Sequence, residues 1–337
     1  MDKFAQKTDE ERHDIFNEVA NRRDVIPIVI EKDFWVCWTL KRLFTNPDLA
    51  PYLTFKGGTS LSKAYGLIER FSEDIDLTVG PQAPFLRDGQ NVMEPDISKK
   101  EKARRIESRK GNAQKFVQEF AFPHIEKNIE NALGSKEVWR IFMAPDDPDQ
   151  QTIIFEYPKT VTEVSYISPT IKLEFGGRGG TEPQEEKKIQ PYTAETFPTL
   201  FENPFCTLTT LSVLRSFWEK ATILHALHHG SNMKNRMSRH LYDTYVMHKN
   251  GLTEQAKKEI ELLAQVVENK TVFFRDPKAS YETATLGNLR LVPTHEQMED
   301  LKKDYKAMEE MFQGTPPTFQ EIIAGLHEME TVLNAGV

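Results

Sequence analysis

The amino-acid sequence predicts a mixed α/β protein with a helical C-terminal part. Residues 170–175 (TIKLEF) alternate apolar and polar side chains, which is typical of a half-buried strand. Apolar residues recur at steps of three and four along 9–22 and 31–45, which is typical of amphipathic helices. Helical spacing dominates the last third of the chain. We therefore predict a core with N-terminal helices in 1–205 and a helical domain in 206–337.

The predicted elements follow in chain order. An apolar run at 53–55 and the alternating residues 74–79 predict two strands, and the proline- and aspartate-rich stretch 80–96 predicts a loop. A long helix is expected over 98–133, with a basic first half. Further strands are predicted at 136–143, 151–157, 161–167 and 170–175. Further helices are predicted at 208–229, 237–249, 254–268, 294–312 and 318–334.

The composition is that of an ordinary globular protein. Hydrophobic residues make up 39% and charged residues 28% of the 337 positions, which is enough to build a core. No apolar run approaches the roughly 18 residues of a membrane-spanning helix, and the N-terminus lacks the apolar stretch of a signal peptide. Cys37 and Cys206 have no metal or redox spacing and are expected to be reduced packing residues. These features predict a cytoplasmic protein.

The charge distribution bears on nucleic-acid binding. A formal net charge of −8 argues against broad, non-specific binding, which depends on the neutralisation of phosphates. Residues 99–110 (KKEKARRIESRK) nevertheless carry seven basic and two acidic side chains. Two interpretations of this segment stay open: a surface that holds an RNA backbone, and a solvated helix face.

Residues 56–77 combine a glycine turn with a pair of aspartates. Gly57 and Gly58, followed by two hydroxyl residues, predict a turn that can cradle a phosphate at the start of a helix. If 74–79 is a strand, Asp74 and Asp76 share one face, with Cα atoms about 6–7 Å apart. Such a pair can bind one Mg²⁺, which takes oxygen ligands and shares them with substrate phosphates.

Either feature alone is weak evidence for a function. An isolated Asp-x-Asp arises by chance and also marks glycosyltransferases that use sugar nucleotides, and an isolated Gly-Gly is usually a turn. Here they occur in the order strand, glycine turn, helix and aspartate pair, and strands are depleted in aspartate. The combination predicts metal-dependent phosphoryl or nucleotidyl transfer.

These residues resemble a known family. Segments 56–61 (KGGTSL) and 70–77 (RFSEDIDL) are similar to motif I of the AbiEii/AbiGii nucleotidyltransferase toxins, within the polymerase-β-like nucleotidyltransferase superfamily. The resemblance covers roughly residues 25–250. It continues through 30–35 (IEKDFW), 169–175 (PTIKLEF), 217–221 (FWEKA) and 239–245 (RHLYDTY).

The resemblance implies a polymerase-β-like nucleotidyltransferase core with a mixed sheet, flanking N-terminal helices and a helical C-terminal domain. It also implies an NTP substrate, Mg²⁺ or Mn²⁺ as cofactor, and a toxin role with a separate antitoxin partner. An RNA acceptor such as the 3′ end of tRNA is expected by the same analogy.

Three carboxylates are the expected metal ligands. The resemblance assigns Asp74 and Asp76 to the metal, and Glu174 on the strand 170–175 matches the third carboxylate of such sites. Lys172 shares the face of Glu174 and is expected either to contact a phosphate or to balance Glu174. The alternative is an exposed amphipathic strand with a Lys/Glu surface.

Two more matches lie in the helical part. The resemblance implies that Lys220 neutralises triphosphate charge and that Asp243 orients Lys220 or the acceptor. The alternative for Asp243 is an ordinary salt bridge with Arg239, four residues earlier on the same helix.

The remaining predicted nucleotide-binding residues belong to motif I or flank it. Phosphate binding and a structural role are equally open for Lys56, Arg70 and Ser72. The full set of predicted nucleotide-binding residues is Lys56, Gly57, Gly58, Thr59, Ser60, Arg70, Ser72, Lys172 and Lys220.

Two rival functions remain beside transfer to RNA. One is a nucleotidyltransferase that acts on a small molecule or a protein side chain, and the other is a non-catalytic NTP-binding regulatory module. Asp74 and Asp76 favour an enzyme. A basic track leading to the site would favour RNA, and an enclosed pocket would favour a small acceptor.

Overall fold

The computed structural model describes residues 1–161, 168–230 and 236–335. It divides into two compact units. The first comprises Met1–Ala64 and Phe71–Thr210, and the second comprises Tyr65–Arg70 and Leu211–Val337. The sequence-based domain boundary at 205/206 stays a prediction.

A mixed sheet forms the centre of the first unit. Its described strands are β1 (Leu53–Lys56), β2 (Ile75–Val79), β3 (Arg140–Met143), β4 (Thr152–Glu156), β5 (Thr170–Gly176), β6 (Gln184–Ile189) and β7 (Cys206–Leu211). Their order in the sheet is β3-β4-β5-β2-β1-β7-β6. β2 lies antiparallel to β1 and parallel to β5, so the aspartate-bearing strand is central and has a neighbour on each side.

Helices precede, connect and follow these strands along the first unit. The α-helices of the first unit are α1 (Asp2–Ala5), α2 (Asp9–Arg23), α3 (Pro27–Phe44), α4 (Gly57–Lys63), α5 (Lys99–Lys115), α6 (Phe122–Leu133) and α7 (Tyr192–Thr196). A π-helical segment, Phe116–Ala121, joins α5 to α6, so the predicted long helix over 98–133 is confirmed as one continuous helical stretch. Short 3₁₀ turns occupy Ala50–Tyr52 and Pro198–Leu200.

The second unit is helical in its described residues. Its α-helices are α8 (Val213–His228), α9 (Ser238–Lys249), α10 (Leu252–Lys257), α11 (Ile260–Phe273), α12 (His295–Ala307) and α13 (Phe319–Asn334). Two 3₁₀ turns, Tyr281–Thr283 and Glu309–Met311, lie between them. Within the described ranges, no helix combines the length and the apolarity that crossing a membrane requires.

Helix α3 runs through the core of the first unit. Pro27 stands at its first turn, where its fixed φ and missing N–H cost nothing. The Trp35 ring stacks on Tyr157, and the Trp38 ring stacks on Phe155. The helix is therefore buried along most of its length, including three successive charged residues that are described below.

Two of the predicted helices differ from the structure. The helix expected at 254–268 is divided into α10 (Leu252–Lys257) and α11 (Ile260–Phe273). The helix expected at 208–229 begins only at Val213, because residues 206–211 (CTLTTL) form strand β7. Threonine alternates with apolar residues there, which favours a strand. The Ser212 side chain then accepts a hydrogen bond from the Arg215 amide at 3.2 Å and caps α8. The predicted strand at 161–167 lies outside the described residues from 162 onward.

Candidate active site

Asp76 stands in a row of three facing residues on adjacent strands. Lys56 at the end of β1 pairs with Asp76, and Asp76 pairs with Glu174 on β5. Paired residues point to the same face, and neighbouring strands lie about 4.8 Å apart. Strand β2 begins at Ile75, so Asp74 immediately precedes it. The expectation that Asp74 shares a face with Asp76 therefore requires the side-chain alternation of the strand to extend back by one residue.

Gly57 lies directly against the Asp76 carboxylate. A Cβ built on Gly57 would stand 1.8 Å from Asp76 Oδ2, closer than any real contact allows. The backbone at Gly57 has φ +80°, which side chains of L-residues rarely adopt. Glycine is therefore required at position 57, because it lets the turn after β1 approach the aspartate.

The hydroxyls of the same turn face inward. Thr59 and Ser60 are fully buried. The Thr59 hydroxyl donates to the Asp74 carbonyl and lies 3.0 Å from the Ser72 hydroxyl. The Ser60 hydroxyl donates to the Gly57 carbonyl at 2.8 Å. These contacts give the hydroxyls a structural role, and their predicted contact with phosphate stays a prediction.

Two lysines lie on the strands beside the aspartates. A Cβ built on Gly179 would stand 3.2 Å from Lys56 Nζ, so the Lys56 ammonium lies beside the glycine-rich loop that follows β5. Lys172 precedes Glu174 by two residues on β5, and both side chains are exposed on the same face. The first unit contains Lys56, Gly57, Gly58, Ser72, Lys172 and the three predicted carboxylates.

The oxygen ligands of this face fit a divalent cation. Carboxylates are hard donors, and Mg²⁺ in nucleotide sites is usually held by one or two of them together with substrate phosphates. Asp74 and Asp76 meet that requirement as a pair. Within the described ranges, no three His, Cys, Asp or Glu side chains lie close enough to form a metal site by themselves. Glu174 is the strand neighbour of Asp76, and its assignment to the metal site stays a prediction.

Arg70, Lys220 and Asp243 form a buried cluster in the second unit. Arg70 Nε and Nη2 donate to the two Asp243 carboxylate oxygens at 2.7 and 2.8 Å. Lys220 Nζ on α8 donates to Asp243 Oδ2 at 2.7 Å. All three residues are buried. Among the described contacts, Asp243 pairs with Arg70 and Lys220 and not with its helix neighbour Arg239. This geometry favours the expectation that Asp243 orients Lys220 over the alternative of a salt bridge with Arg239.

The cluster is held by charge. Burial alone would raise the pKa of Asp243, but Arg70 and Lys220 outweigh it and keep that pKa below the ordinary aspartate value. Arg70 is thus a partner of Asp243, a role that its position in motif I does not reveal.

Lys32 was not among the predicted site residues. It lies on α3, is 2% exposed, and its Nζ donates to Glu73 and, at 2.7 Å, to the Ser168 carbonyl. Burial lowers the pKa of Lys32, while Glu73 and Asp74 oppose that shift and Lys172 adds to it. The sequence carried a signal, since Glu31, Lys32 and Asp33 interrupt an otherwise apolar run from Ile28 to Trp38, and a helix that is apolar on all sides is usually buried.

The basic segment 99–110 is largely paired within the chain. Arg104 and Arg105 both bind Glu101, and Arg105 also binds Glu94. Lys110 Nζ lies 2.7 Å from Asp149 Oδ1, and Arg109 donates to the Gly177 carbonyl. These pairs favour the interpretation as a solvated helix face over a dedicated RNA surface.

Comparisons with known proteins identify the family of the chain. The family model described as "Nucleotidyl transferase AbiEii toxin, Type IV TA system" matches residues 38–325. Among solved structures, the chain is similar to MenT4, nucleotidyltransferase toxin Rv2826c from Mycobacterium tuberculosis H37Rv. That match has a TM-score of 0.52 and 14% identity and covers 96% of this chain and 90% of that one. No curated protein gives a significant match.

The structural match confirms the predicted fold class, a mixed α/β fold of the nucleotidyltransferase toxin type. The family match spans most of the sequence, including the aspartate strand, β5, α8 and α9. The chain therefore belongs to the family of AbiEii nucleotidyltransferase toxins of type IV toxin–antitoxin systems, and it is a nucleotidyltransferase.

Proposed function

We propose that the protein transfers a nucleoside monophosphate from an NTP to an acceptor hydroxyl in a reaction that depends on Mg²⁺ or Mn²⁺. The observation that carries this proposal is the contact between Gly57 and the Asp76 carboxylate. It brings a glycine turn against an aspartate on a central strand, beside Lys56 and Glu174. A phosphate-binding turn and a metal-binding carboxylate must lie this close to act on one triphosphate.

Each residue of the first unit has a proposed role. Asp74 and Asp76 bind the divalent cation, and Glu174 completes the metal site or accepts the proton of the attacking hydroxyl. The backbone at Gly57 and Gly58 approaches the triphosphate, and Lys56 and Lys172 offset its charge. Thr59, Ser60 and Ser72 hold the turn in shape through their hydrogen-bonded hydroxyls.

The cation would supply charge neutralisation at the triphosphate and lower the pKa of an attacking hydroxyl. The protein itself contributes position and electrostatics, because in-line displacement needs the acceptor and the α-phosphorus held in register. In the second unit, we propose that Lys220, oriented by Asp243 and Arg70, is a phosphate-binding cation.

The proposals for the acceptor and the cellular context are supported by the family alone. We propose an RNA acceptor, with the 3′ end of tRNA as the first candidate, together with a cytoplasmic location and a cognate antitoxin. A small molecule or a protein side chain is the alternative acceptor.

A label-transfer assay tests this proposal. The protein is incubated with Mg²⁺, each α-labelled NTP and total RNA, next to an Asp76→Ala variant. Label in RNA that requires Asp76 supports the proposal, and label in protein or a small molecule moves the acceptor to the alternative class. Tight NTP binding without transfer to any of the three would leave a non-catalytic NTP-binding module.

A further inference from the structure

Lys32 connects two chain segments of the first unit. Its ammonium donates to the Glu73 carboxylate and, at 2.7 Å, to the Ser168 carbonyl. The side chain of Lys32 is 3% exposed and that of Glu73 is 11% exposed, so the contact is shielded from water. A buried ammonium is stable only when such partners compensate the loss of its hydration.

Both segments lead into carboxylate-bearing strands. Glu73 immediately precedes Asp74, and β2 begins one residue later. Ser168 lies two residues before β5, which carries Glu174. Because β2 and β5 are parallel neighbours, their first residues lie at the same end of the sheet. One side chain thus bridges the two strand entrances.

The neighbours of Lys32 on α3 bind elsewhere. The Glu31 carboxylate accepts hydrogen bonds from the amides of Thr160 and Val161 at 2.6 and 3.2 Å. Asp33 Oδ1 lies 2.7 Å from Lys63 Nζ. Lys32 is therefore the member of this charged triplet that reaches both strand entrances.

We propose that Lys32 is a positioning residue that holds the Asp74 segment against the entrance of β5 and so sets the separation between the aspartate pair and Glu174. This inference rests on the proposed function, in which these carboxylates bind a divalent cation. Lys32 acts through Glu73 and the backbone and takes no part in the chemical step.

The direction of the change in metal affinity separates positioning from simple charge balance. If Lys32 acted only as a nearby positive charge, its removal would strengthen the binding of the divalent cation, because the repulsion between Lys32 and that cation would disappear. If it sets the separation of the ligands, its removal weakens metal binding, as is typical for residues that support metal ligands.

The experiment measures Mn²⁺ affinity by electron paramagnetic resonance in the presence of a non-hydrolysable NTP analogue. Lys32→Met is compared with Glu31→Gln, a matched variant on the same buried turn that touches neither strand entrance. Urea unfolding shows how stable each variant is. We expect Lys32→Met to weaken Mn²⁺ binding about tenfold, and we expect Glu31→Gln to lose stability with its Mn²⁺ affinity unchanged.

Unchanged or tighter Mn²⁺ binding by folded Lys32→Met would overturn the inference. If that variant does not fold, Lys32→Arg decides, since it keeps the charge and alters the reach. Weaker Mn²⁺ binding by the arginine variant supports positioning, and wild-type binding contradicts it. An Asp76→Ala variant with wild-type Mn²⁺ affinity would refute the proposed metal site itself, a separate failure.

Discussion

At the scale of single residues, Gly57 packs directly against the Asp76 carboxylate in the proposed site. The turn after β1 approaches the aspartate only because position 57 has no side chain. The positive φ at Gly57 adds a second reason for glycine. We therefore expect glycine at position 57 to be needed for activity as well as for the fold.

Replacing Gly57 with alanine tests this requirement. Gly66 provides the control, because it also has a positive φ, +61°, but a Cβ there would meet nothing within 4 Å. Both alanine variants are expected to lose about 1–2 kcal/mol of unfolding free energy through backbone strain. Only Gly57→Ala should also lose transfer activity, by about 100-fold, because Asp76 is displaced. Equal activity of the two variants would contradict the account.

The sequence predicted part of this site for a clear reason. Strand periodicity is local, so the relation between Asp74 and Asp76 could be inferred without the fold. The pairing of Arg70 with Asp243 could not, since it joins residues 173 positions apart and leaves no periodic signal. The buried hydroxyls of Thr59 and Ser60 were also unforeseen, because a motif gives residue types and not the direction of side chains.

Asp243→Asn is expected to destabilise the protein in a pH-dependent way. The folded pKa of Asp243 lies below its ordinary value of 3.8, so the pairing stabilises the fold at neutral pH. That contribution is lost as the pH falls below the ordinary range toward the folded pKa. Removing the carboxylate takes a shared charged partner from two buried cations and should cost about 3–5 kcal/mol near pH 7.

Urea unfolding of the wild type and the Asp243→Asn variant measures this difference. The gap in unfolding free energy should be smaller near pH 3 than near pH 7. A gap that is absent at neutral pH, or that does not change with pH, would show that the cluster is not held by charge.

At the scale of elements, the pairing of strands β2 and β5 determines which acidic residues lie side by side. The parallel register aligns Asp76 with Glu174, a contact between distant parts of the chain that the family resemblance anticipated and periodicity alone could not. For strand β7 the prediction from periodicity was wrong, because residues 208–211 were predicted to begin a helix. Short strands next to long helices are ambiguous because a few residues fit either period.

Glu174→Gln should lower transfer activity by about 100-fold with little change in stability, because the side chain is exposed and its loss disturbs no core packing. Glu186→Gln on β6 is the matched control, as another exposed strand glutamate. Steady-state transfer rates and urea midpoints of both variants give the test. Wild-type activity in Glu174→Gln would remove this residue from the site.

At the scale of the whole molecule, the two units are not consecutive in sequence. Tyr65–Arg70 belongs to the second unit although it lies between β1 and β2 of the first. Strand β7 pairs with β1 and separates it from β6 in the sheet. A cut at the predicted boundary of 205/206 therefore removes a strand from the sheet and separates Arg70 from Asp243.

Fragment 1–205 is accordingly expected to lack a cooperative unfolding transition, because losing β7 exposes the edges of β1 and β6. Fragment 1–211, which keeps β7, should unfold at a clearly higher urea concentration. Circular dichroism during urea titration compares the two. Identical transitions would mean that β7 is dispensable for the core.

The central claim is that Asp76 supports nucleotidyl transfer rather than transfer of a terminal phosphate. It is tested most directly by following an α-labelled and a γ-labelled sample of the same NTP through the reaction of the wild type and Asp76→Asn. We expect the wild type to transfer the α label to the acceptor and to release the γ label in pyrophosphate. We expect Asp76→Asn to form neither labelled product. A γ label in the acceptor, or wild-type transfer by Asp76→Asn, would contradict the central claim.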